Sequence, residues 1–454
     1  MHNRLKNIPI LLRSPVGRWE LVVGMYYSSM PVLGRIAEAY RRTIVKRSRV
    51  IAVTGSFGKT TTTRAIRCAL GLPLNPRVGV TRPSFKAKEV LGIKPRDRHA
   101  VIETSIEAPG QMAFAARFIR PDIAVVTSIG SEHRRAFGSL EAIRNEKADI
   151  VRSLPLNGLA VLNGDDPNVL WMKGVTKARV LKFGFASSND IYATDVSMQW
   201  PRGMEFVLHL DQDVRKVRLR LIGKHMVYAG LAAVAVAYAE GIGLDQITMA
   251  LEELEPTPGR MEPVRLANGA ILLRDDFKSP VETIETALAT LSEIPAKRRI
   301  VVLGQISEAP GNHKETQRRI GHLIAQAAAS YAIFIGVNCR PYISGASRAG
   351  MDRNAIRDAG TNPSVAIETL APMLRDGDVV LIKGRSSEKL DRITLALMGR
   401  RVGCTIGFCD AELRCSECKM LEGGWAGYRH LGAAKNNVPA PVRNPSTQST
   451  VERT

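Results

Sequence analysis

The sequence predicts an α/β protein with two parallel sheets, each flanked by helices. Short runs of β-branched and other apolar residues, such as residues 49–53 and 123–127, are each followed by a stretch of helical character. Because parallel strands need crossover connections, this alternation is typical of a sheet wound in parallel. The alternation stops at residues 255–260, where two prolines and a glycine indicate a domain boundary, and it resumes near residue 270. A chain of 454 residues is long enough for two or three such domains.

Composition and charge limit the partners of the chain. Hydrophobic residues make up 45% and charged residues 24% of the sequence, as in globular proteins with sizeable cores. The 64 Lys and Arg against 43 Asp and Glu give a formal net charge of +21, which favours nucleotides, phosphorylated precursors or acidic lipid surfaces as partners. Aromatic residues are only 5%, and the basic residues are spread along the chain, so the sequence argues against a nucleic-acid-binding protein.

Residues 1–48 form a short basic extension. Its apolar patch at residues 21–33 is interrupted by Ser28, Ser29 and Pro31 and is too short to span a bilayer. We therefore expect a basic amphipathic helix that packs on the next domain, with peripheral contact to an anionic membrane face as the alternative. No secretory signal is visible, so we expect a cytoplasmic chain, with the inner face of the membrane as the alternative location.

The stretch TGSFGKTT at residues 54–61 follows the first strand and opens a helix, which is the context that a phosphate-binding loop requires. Gly55 and Gly58 permit the tight turn that directs backbone amides at phosphate oxygens. Lys59 would neutralise the β- and γ-phosphates, the Thr60 hydroxyl would ligate Mg²⁺, and the start of the helix would add its positive dipole end. We therefore predict nucleotide binding by Thr54, Gly55, Ser56, Phe57, Gly58, Lys59, Thr60 and Thr61.

Polar side chains follow three further strands. Glu103 ends the strand at residues 100–102, His133 comes shortly after the strand at 123–127, and Asn163 ends a third strand. Because the carboxyl ends of parallel strands meet at one edge of a sheet, we expect these side chains near the phosphate loop. A carboxylate there is well placed to bind a metal, and a structural salt bridge is the alternative role of Glu103.

The remaining sequence adds an antiparallel excursion and a second α/β unit. Residues 177–222 contain short strand-like runs that predict the excursion. Strands at residues 299–304, 331–336 and 378–382 indicate a second parallel sheet, without a second phosphate loop. We therefore predict four units: a basic extension (1–48), a first α/β domain (49–257), a second α/β domain (258–400) and a tail (401–454).

Four of the six cysteines lie close together near the end of the sequence: Cys404, Cys409, Cys415 and Cys418. Clustered thiols in a cytosolic chain favour a structural Zn²⁺ over disulfides, although only Cys415 and Cys418 have the usual two-residue spacing. The alternative is a set of reduced thiols in a loose tail, because residues 401–454 are rich in Pro, Asn, Ser and Thr and predict disorder.

From about residue 49 to residue 400 the sequence resembles the Mur ligase family, the ATP-dependent amide-bond ligases of peptidoglycan and cell-wall synthesis. The nearest subgroup in this resemblance adds D-alanyl-D-alanine to a UDP-N-acetylmuramoyl-tripeptide. The motifs that carry the resemblance occur in order along the chain. They are TGSFGKTT (54–61), Glu103, TSIG (127–130) with His133, FGSL (137–140), KADI (147–150), LNGDD (162–166), PGRM (258–261), VLG (302–304) and GDVVLIKG (377–384).

The resemblance implies a P-loop central domain, a Rossmann-like C-terminal domain and a reaction that joins a carboxylate to an amine through an acyl phosphate. The implied reactants are ATP with Mg²⁺, an acidic and in the family UDP-linked precursor, and an amino acid or dipeptide. Positioning and charge neutralisation would supply most of the catalysis. The resemblance assigns Lys59, Lys147 and His133 to catalysis, Thr60, Glu103, His133 and a carbamylated Lys147 to Mg²⁺, and Asn163, His225, Arg260 and Asp276 to the nucleotide.

Three departures separate this sequence from the family pattern. About 48 residues precede the first strand, so we expect the family's full N-terminal UDP-binding domain to be lacking. The family's His-Asn-x-x-Asn pattern becomes HMVYA at residues 225–229, and a loop of the C-terminal domain is shortened to DDFKSP at residues 275–280. A poly-γ-glutamate-synthase-like ligase is therefore the alternative enzyme, and a catalytically weak nucleotide-binding scaffold is the alternative outside enzymes.

Overall fold

Helices and strands alternate through the chain, as the sequence predicts. The computed structural model describes residue 12 and residues 15–74, 83–307, 311–409, 411 and 413–423. The strands are β1 (Arg49–Thr54), β2 (His99–Glu103), β3 (Ile123–Val126), β4 (Leu159–Asn163), β5 (Arg179–Gly184), β6 (Ile191–Gln199), β7 (Gly203–Leu210), β8 (Asp213–Leu219), β9 (Glu262–Arg265), β10 (Ile271–Asp275), β11 (Arg298–Leu303), β12 (Ala329–Phe334), β13 (Ile356–Asp358) and β14 (Asp378–Lys383).

The helices precede, connect and follow these strands. They are α1 (Pro15–Thr43), α2 (Lys59–Ala69), α3 (Pro83–Leu91), α4 (Gln111–Ile119), α5 (Arg134–Phe137), α6 (Leu140–Arg152), α7 (Pro167–Leu170), α8 (Val227–Ala239), α9 (Leu244–Glu252), α10 (Val281–Glu293), α11 (His313–Gln326), α12 (Arg340–Arg348), α13 (Pro363–Met373) and α14 (Asp391–Leu397). Short 3₁₀ helices lie at Trp171–Val175, Lys224–Met226, Arg353–Ala355 and Cys415–Glu417.

The first sheet has eight strands in the order β2-β1-β3-β4-β5-β6-β7-β8. Pairing is parallel as far as β6 and antiparallel from β6 to β8, so the predicted antiparallel excursion at residues 177–222 holds for β6 to β8 but not for β5. Every residue of β1 after Arg49 is buried, because helices cover both faces of a parallel sheet. The loop after β1 therefore emerges from the interior of the sheet rather than from an edge.

The second sheet has six strands in the order β13-β12-β11-β14-β10-β9. Neighbouring strands in this sheet run parallel, except that β9 and β10 are antiparallel to each other. Between the two sheets the chain passes through Gly259 and Met261, whose φ angles are +66° and +46°. The predicted pair of sheets with mainly parallel strands is therefore confirmed.

Helix α8 anchors the phosphate-loop region to the core. It is apolar on all sides and almost entirely buried, as expected of a helix without a solvent face. It packs directly against α2, whose first residue is Lys59. The helix that follows the phosphate loop is therefore fixed by the core of the first domain.

Helix α1 packs on α3 and α4, which agrees with the expectation of a helix packed on the next domain. Ala37 is fully buried, and Gly34 lies so close to α4 that a Cβ there would stand 2.7 Å from Cζ of Phe114. The outer face of α1 exposes Val32 and Ile36. None of the helices in the described part of the chain has the length and apolar character needed to cross a membrane.

Residues 401–409, 411 and 413–423 pack against the C-terminal domain and are called here the C-terminal segment. The Cys415 amide donates to Oδ2 of Asp391 at 2.9 Å, and Nζ of Lys389 donates to the Leu413 carbonyl at 2.9 Å. Leu421 is almost completely buried. This arrangement differs from the loose tail that we expected. The expectation rested on composition, which does not indicate which backbone groups form hydrogen bonds. Residues 424–454 lie outside the described residues.

Candidate active site

The loop between β1 and α2 forms a tight cradle. Gly55 has a φ of +143° and Gly58 a φ of +80°, both in a region that favours glycine. A Cβ on Gly55 would stand 2.0 Å from Oγ1 of Thr127, so the loop can approach the end of β3 only without a side chain. Thr127 in turn donates its hydroxyl to the Phe57 carbonyl at 2.5 Å. The loop conformation thus depends on the neighbouring strand end.

Lys59 lies in the mouth of this cradle. Its Nζ donates to the carbonyls of Gly55 at 2.7 Å and Ser56 at 2.8 Å, and it lies 3.3 Å from Oε2 of Glu132. Among the described residues no side chain caps the start of α2, so the positive end of the helix dipole faces the loop. A buried cation at a helix N-terminus is an anion site, and these residues fit the phosphates of a nucleotide.

Thr60 and Glu103 form a pair of oxygen donors beside Lys59. Oγ1 of Thr60 donates to Oε1 of Glu103 at 3.1 Å, and both side chains are buried. The parallel register of β1 and β2 sets Glu103 opposite Val53, which brings the carboxylate to the start of the loop. A hydroxyl and a carboxylate are the oxygen ligands that Mg²⁺ prefers, so this donor set fits a magnesium ion.

Glu132 is the anion at the centre of the site. Besides Lys59, Nζ of Lys278 from the C-terminal domain donates to its Oε1, and His133 lies 3.8 Å away. Burial raises the pKa of Glu132, but the attraction of Lys278 and then of Lys59 outweighs burial and holds this pKa well below its ordinary value. The carboxylate is therefore ionised and held by a cation from each domain.

His133 is neutral at physiological pH. Burial lowers its pKa to about 4, against the attraction of Glu132. The residue has a φ of +68° and precedes the short helix α5. A neutral imidazole is the form that ligates a metal, so the electrostatics of His133 fit the metal-ligand role assigned to it.

Lys147 reaches the loop from α6. Its side chain is completely buried, and Nζ donates to the Gly55 carbonyl at 2.9 Å. Burial, and then repulsion from Lys59, lowers the pKa of Lys147 to about 7. A substantial fraction of this amine is therefore unprotonated at neutral pH, which makes it nucleophilic.

The C-terminal domain contributes side chains that the sequence analysis did not single out as site residues. Glu282, in the first turn of α10, accepts from the Ser131 amide at 2.9 Å and from the Ser131 hydroxyl at 2.8 Å. Lys278 binds Glu132, as described above. The sequence signal was weak: Lys278 stands in the DDFKSP loop and Ser131 directly follows the TSIG motif, but nothing in the spacing indicates that these two stretches meet.

A further buried lysine, Lys383, contacts the backbone of the partly exposed Lys278. Nζ of Lys383 is 2.9 Å from Oδ2 of Asp275 and also donates to the Lys278 carbonyl, and burial lowers its pKa. His225 lies within the electrostatic range of this pair, and burial lowers its pKa to about 4. Nδ1 of His225 has no hydrogen-bond partner among the described residues.

The other residues assigned to the nucleotide differ in their contacts with the site. Arg260 stacks on the Phe277 ring at 4.4 Å, and it interacts electrostatically with Glu103 and Glu132. Asp276 instead accepts from Nε of Arg274 at 3.1 Å. Asn163 donates to the Thr127 carbonyl at 2.9 Å and so ties the ends of β3 and β4 together. Arg260 therefore lies within electrostatic range of the site carboxylates, whereas Asp276 and Asn163 have structural partners of their own.

The cysteine cluster is separate from this site. Among the described side chains there is no group of three or more His, Cys, Asp or Glu that could hold a metal, so the zinc expectation for Cys404, Cys409, Cys415 and Cys418 is not supported. Burial, with the nearby Asp391 carboxylate, raises the pKa of Cys415, and burial raises that of Cys409. Such thiols stay protonated and unreactive, because the thiolate is the ligand and nucleophile.

Comparisons with known proteins agree with this geometry. A family model described as Mur ligase middle domain matches residues 53–237, and one described as Mur ligase, glutamate ligase domain matches residues 259–386. The curated UDP-N-acetylmuramoyl-tripeptide–D-alanyl-D-alanine ligase of Escherichia coli is 29% identical, over 77% of both chains. The enzyme of the same name from Bacillus subtilis is 25% identical, over 82% of this chain and 80% of its own.

Solved structures show the same fold. A MurF crystal structure from Acinetobacter baumannii superposes with a TM-score of 0.72 at 23% identity, covering 82% of this chain and 81% of the other. The MurF ligase of Thermotoga maritima in complex with ADP superposes with a TM-score of 0.69 at 23% identity, covering 82% and 83%. The fold with two sheets is therefore one found in solved ligases.

Proposed function

Since the chain belongs to the Mur ligase family, whose members are ATP-dependent ligases that form amide bonds, we propose that it adds D-alanyl-D-alanine to a UDP-linked muramoyl tripeptide in peptidoglycan precursor synthesis. The enzyme class follows from the family. The particular substrates are supported by curated relatives that are named as UDP-N-acetylmuramoyl-tripeptide–D-alanyl-D-alanine ligases and that align over most of both chains. The observation that carries the proposal is the buried Glu132 carboxylate, which contacts Lys59 of one domain and Lys278 of the other.

The residues divide the chemical work. ATP supplies the phosphoryl group that activates the substrate carboxylate, and the family uses Mg²⁺ with it. Thr60 and Glu103 would hold the ion, and the loop amides with Lys59 would hold the phosphates. Lys59 and Lys278 offset the negative charge that is spread over a phosphoryl group in transfer, and they do so at fixed positions.

Burial of the site protects the activated acid. An acyl phosphate reacts with water unless water is excluded. Lys59, Glu132 and Lys147 are all nearly inaccessible to solvent, and the Ser131–Glu282 contact closes the two domains over them. The amine substrate can then attack the acyl carbon while the phosphate leaves, and positioning rather than covalent catalysis supplies the rate.

Lys147 is proposed to become a carboxylate-like ligand. Its pKa of about 7 leaves free amine, which can add to CO₂ with loss of a proton to form an N-carboxylate. That change converts a buried cation near Lys59 into an anion. The like-charge repulsion between Lys147 and Lys59 would then be replaced by attraction, and an oxygen donor would be available to a metal beside Glu103.

Phosphate release from ATP with Mg²⁺ tests the proposed reaction. Wild-type protein should release phosphate only when both the UDP-muramoyl tripeptide and D-alanyl-D-alanine are present. Lys59→Ala should lower this rate at least about 100-fold, because it removes a fixed charge from the transition state. Lys297→Ala, at an exposed lysine of the C-terminal domain, is the matched control and should retain the wild-type rate.

Other outcomes separate the alternatives. Release with glutamate as the amine substrate and without the muramoyl tripeptide would favour a poly-γ-glutamate-synthase-like ligase. Nucleotide binding without release under any pairing, together with normal growth of cells that carry Lys59→Ala, would favour the scaffold and contradict the proposed ligase.

We also propose that α1 rests on the inner, anionic face of the cytoplasmic membrane. Met25, Val32 and Ile36 recur at intervals of seven and four residues, which places them on one face of a helix, and all three are at least half exposed. Arg35 and Arg42 lie beside this stripe. Apolar side chains flanked by cations are the combination that binds acidic lipid surfaces.

Sedimentation with lipid vesicles tests this contact. Wild-type protein should sediment with vesicles that contain about a third anionic phospholipid and not with purely zwitterionic vesicles. The double variant Val32→Glu, Ile36→Glu should lose this binding, whereas Met249→Glu, at an equally exposed methionine on α9, should keep it. Equal binding by both variants would contradict the assignment to α1.

A further inference from the structure

The C-terminal segment returns to the hinge between the two domains. It begins beyond residue 386, where the matched family domain ends. Nζ of Lys389 donates to the Leu413 carbonyl at 2.9 Å, and the Cys415 amide donates to Oδ2 of Asp391 at 2.9 Å. These bonds fix the residues on either side of Arg414, which lies one position before the buried Cys415.

Arg414 binds the hinge backbone directly. Its Nη2 donates to the Pro258 carbonyl at 2.6 Å. Pro258 precedes Gly259 and Met261, the two hinge residues with positive φ. A charged donor on a backbone carbonyl makes a stronger hydrogen bond than a neutral one, so this contact restrains the one place where the chain passes between the domains.

Arg414 also shares an aromatic ring with Arg260. The Arg260 guanidinium lies 4.4 Å from the centroid of Phe277, and the Arg414 guanidinium lies 6.0 Å from the same centroid. A Cβ on Gly259 would stand 2.5 Å from Oδ1 of Asp276 and 3.6 Å from Nη1 of Arg414. The Phe277 ring, the Asp276 carboxylate and the Arg414 guanidinium therefore pack around the hinge. Arg260 packs on the same ring.

We infer that Arg414 is a positioning residue, which fixes the hinge at residues 257–261 and through it the direction in which Arg260 faces the site. The inference goes beyond the proposed reaction and does not depend on which substrates are joined. If the hinge is released, the domains sample more orientations, and the fraction of molecules ready to bind nucleotide falls. The apparent nucleotide affinity falls by the same factor.

Hydrogen–deuterium exchange of the full-length protein tests this role. The amides of Gly259 and Arg260 are bonded to Oε2 of Glu262 and the Thr257 carbonyl, so their exchange reports opening of the hinge. Arg414→Ala should speed exchange of a peptide over residues 255–262 by about tenfold. It should also weaken binding of MgADP by roughly three- to tenfold.

Two matched variants separate positioning from general stability. Arg400→Ala removes bonds to Glu422 and to the Ser416 carbonyl within the same segment, without touching the hinge, and should leave hinge exchange and MgADP affinity as in wild type. Arg414→Lys keeps a cationic donor and should recover at least half of each loss. Unchanged hinge exchange in Arg414→Ala, or equal acceleration in Arg400→Ala, would overturn the inference.

Discussion

At the scale of single residues, the site concentrates positive charge around one carboxylate. Lys59 and Lys278 contact Glu132, and Lys147 lies within electrostatic range of it. The three lysines repel one another; Lys59 and Lys147 are buried, Lys278 is partly exposed, and Glu132 lies within electrostatic range of all three. Burial and repulsion from Lys59 are not fully offset at Lys147, so the pKa of Lys147 is lowered to about 7.

The lowered pKa of Lys147 gives a signed pH prediction. Between about pH 7 and its ordinary pKa of 10.5, the unfolded chain holds a proton on Lys147 that the folded protein does not, so stability rises with pH in this window. Below about pH 7 the buried charge destabilises the fold in full. In CO₂-free buffer the stability of wild type relative to Lys147→Met should rise toward pH 10 with a slope of at most about 1.4 kcal/mol per pH unit. Urea unfolding measures this difference, and parallel curves would show that Lys147 keeps its proton.

At the scale of elements, α6 is aligned by contacts at its own start and with α4. Oγ of Ser139 accepts from the Ala142 amide at 3.1 Å and caps the helix. Near the middle of α6, the Glu146 carboxylate accepts from the amides of Gly110 at 2.9 Å and Met112 at 2.8 Å, and so caps α4. Lys147 is the next residue, so the same backbone that binds α4 directs Lys147 to the phosphate loop.

Loss of the Ser139 cap should weaken this element measurably. Ser139→Ala should lower the free energy of unfolding by about 1 kcal/mol, because it leaves one amide of the first turn without its acceptor. Ser139→Asp retains an acceptor and should stay close to wild type. Urea titrations of the three proteins give the comparison, and equal losses for Ala and Asp would show that the hydroxyl, rather than capping, is required.

At the scale of the whole molecule, function depends on two domains meeting at one site. The phosphate loop and the proposed metal ligands Thr60 and Glu103 come from the first domain, whereas Lys278 and Glu282 come from the second domain. Glu282 engages both the amide and the hydroxyl of Ser131, which is the residue before Glu132. This bidentate contact therefore aligns Glu132 with the cations of both domains.

Removing the contact should reduce catalysis more than it reduces stability. Glu282→Ala leaves Ser131 without its partner across the cleft, and kcat/KM for phosphate release should fall by about tenfold because the domains close less often in register. Glu285→Ala, on the same helix but paired with Arg319, is the matched control and should stay within about twofold of wild type. Similar losses in both variants would place the effect in α10 itself and not in the domain contact.

The two parallel sheets and the strand–loop–helix at residues 49–70 could be predicted from the sequence, because they depend on local periodicity and on glycine chemistry. It also predicted that Glu103 and His133 lie at strand ends on the edge of the sheet that carries the loop, since parallel topology alone requires this.

Which charged side chains meet became visible only in the folded structure. The pairing of Glu132 with Lys278 spans 146 residues, and that of Ser131 with Glu282 spans 151 residues, so no local pattern contains them. The same holds for Arg414, which reaches Pro258 from a segment whose composition predicted disorder. Such contacts depend on how two separately folded sheets dock, and docking is set by the complementarity of whole surfaces, which a one-dimensional pattern of residue types does not encode.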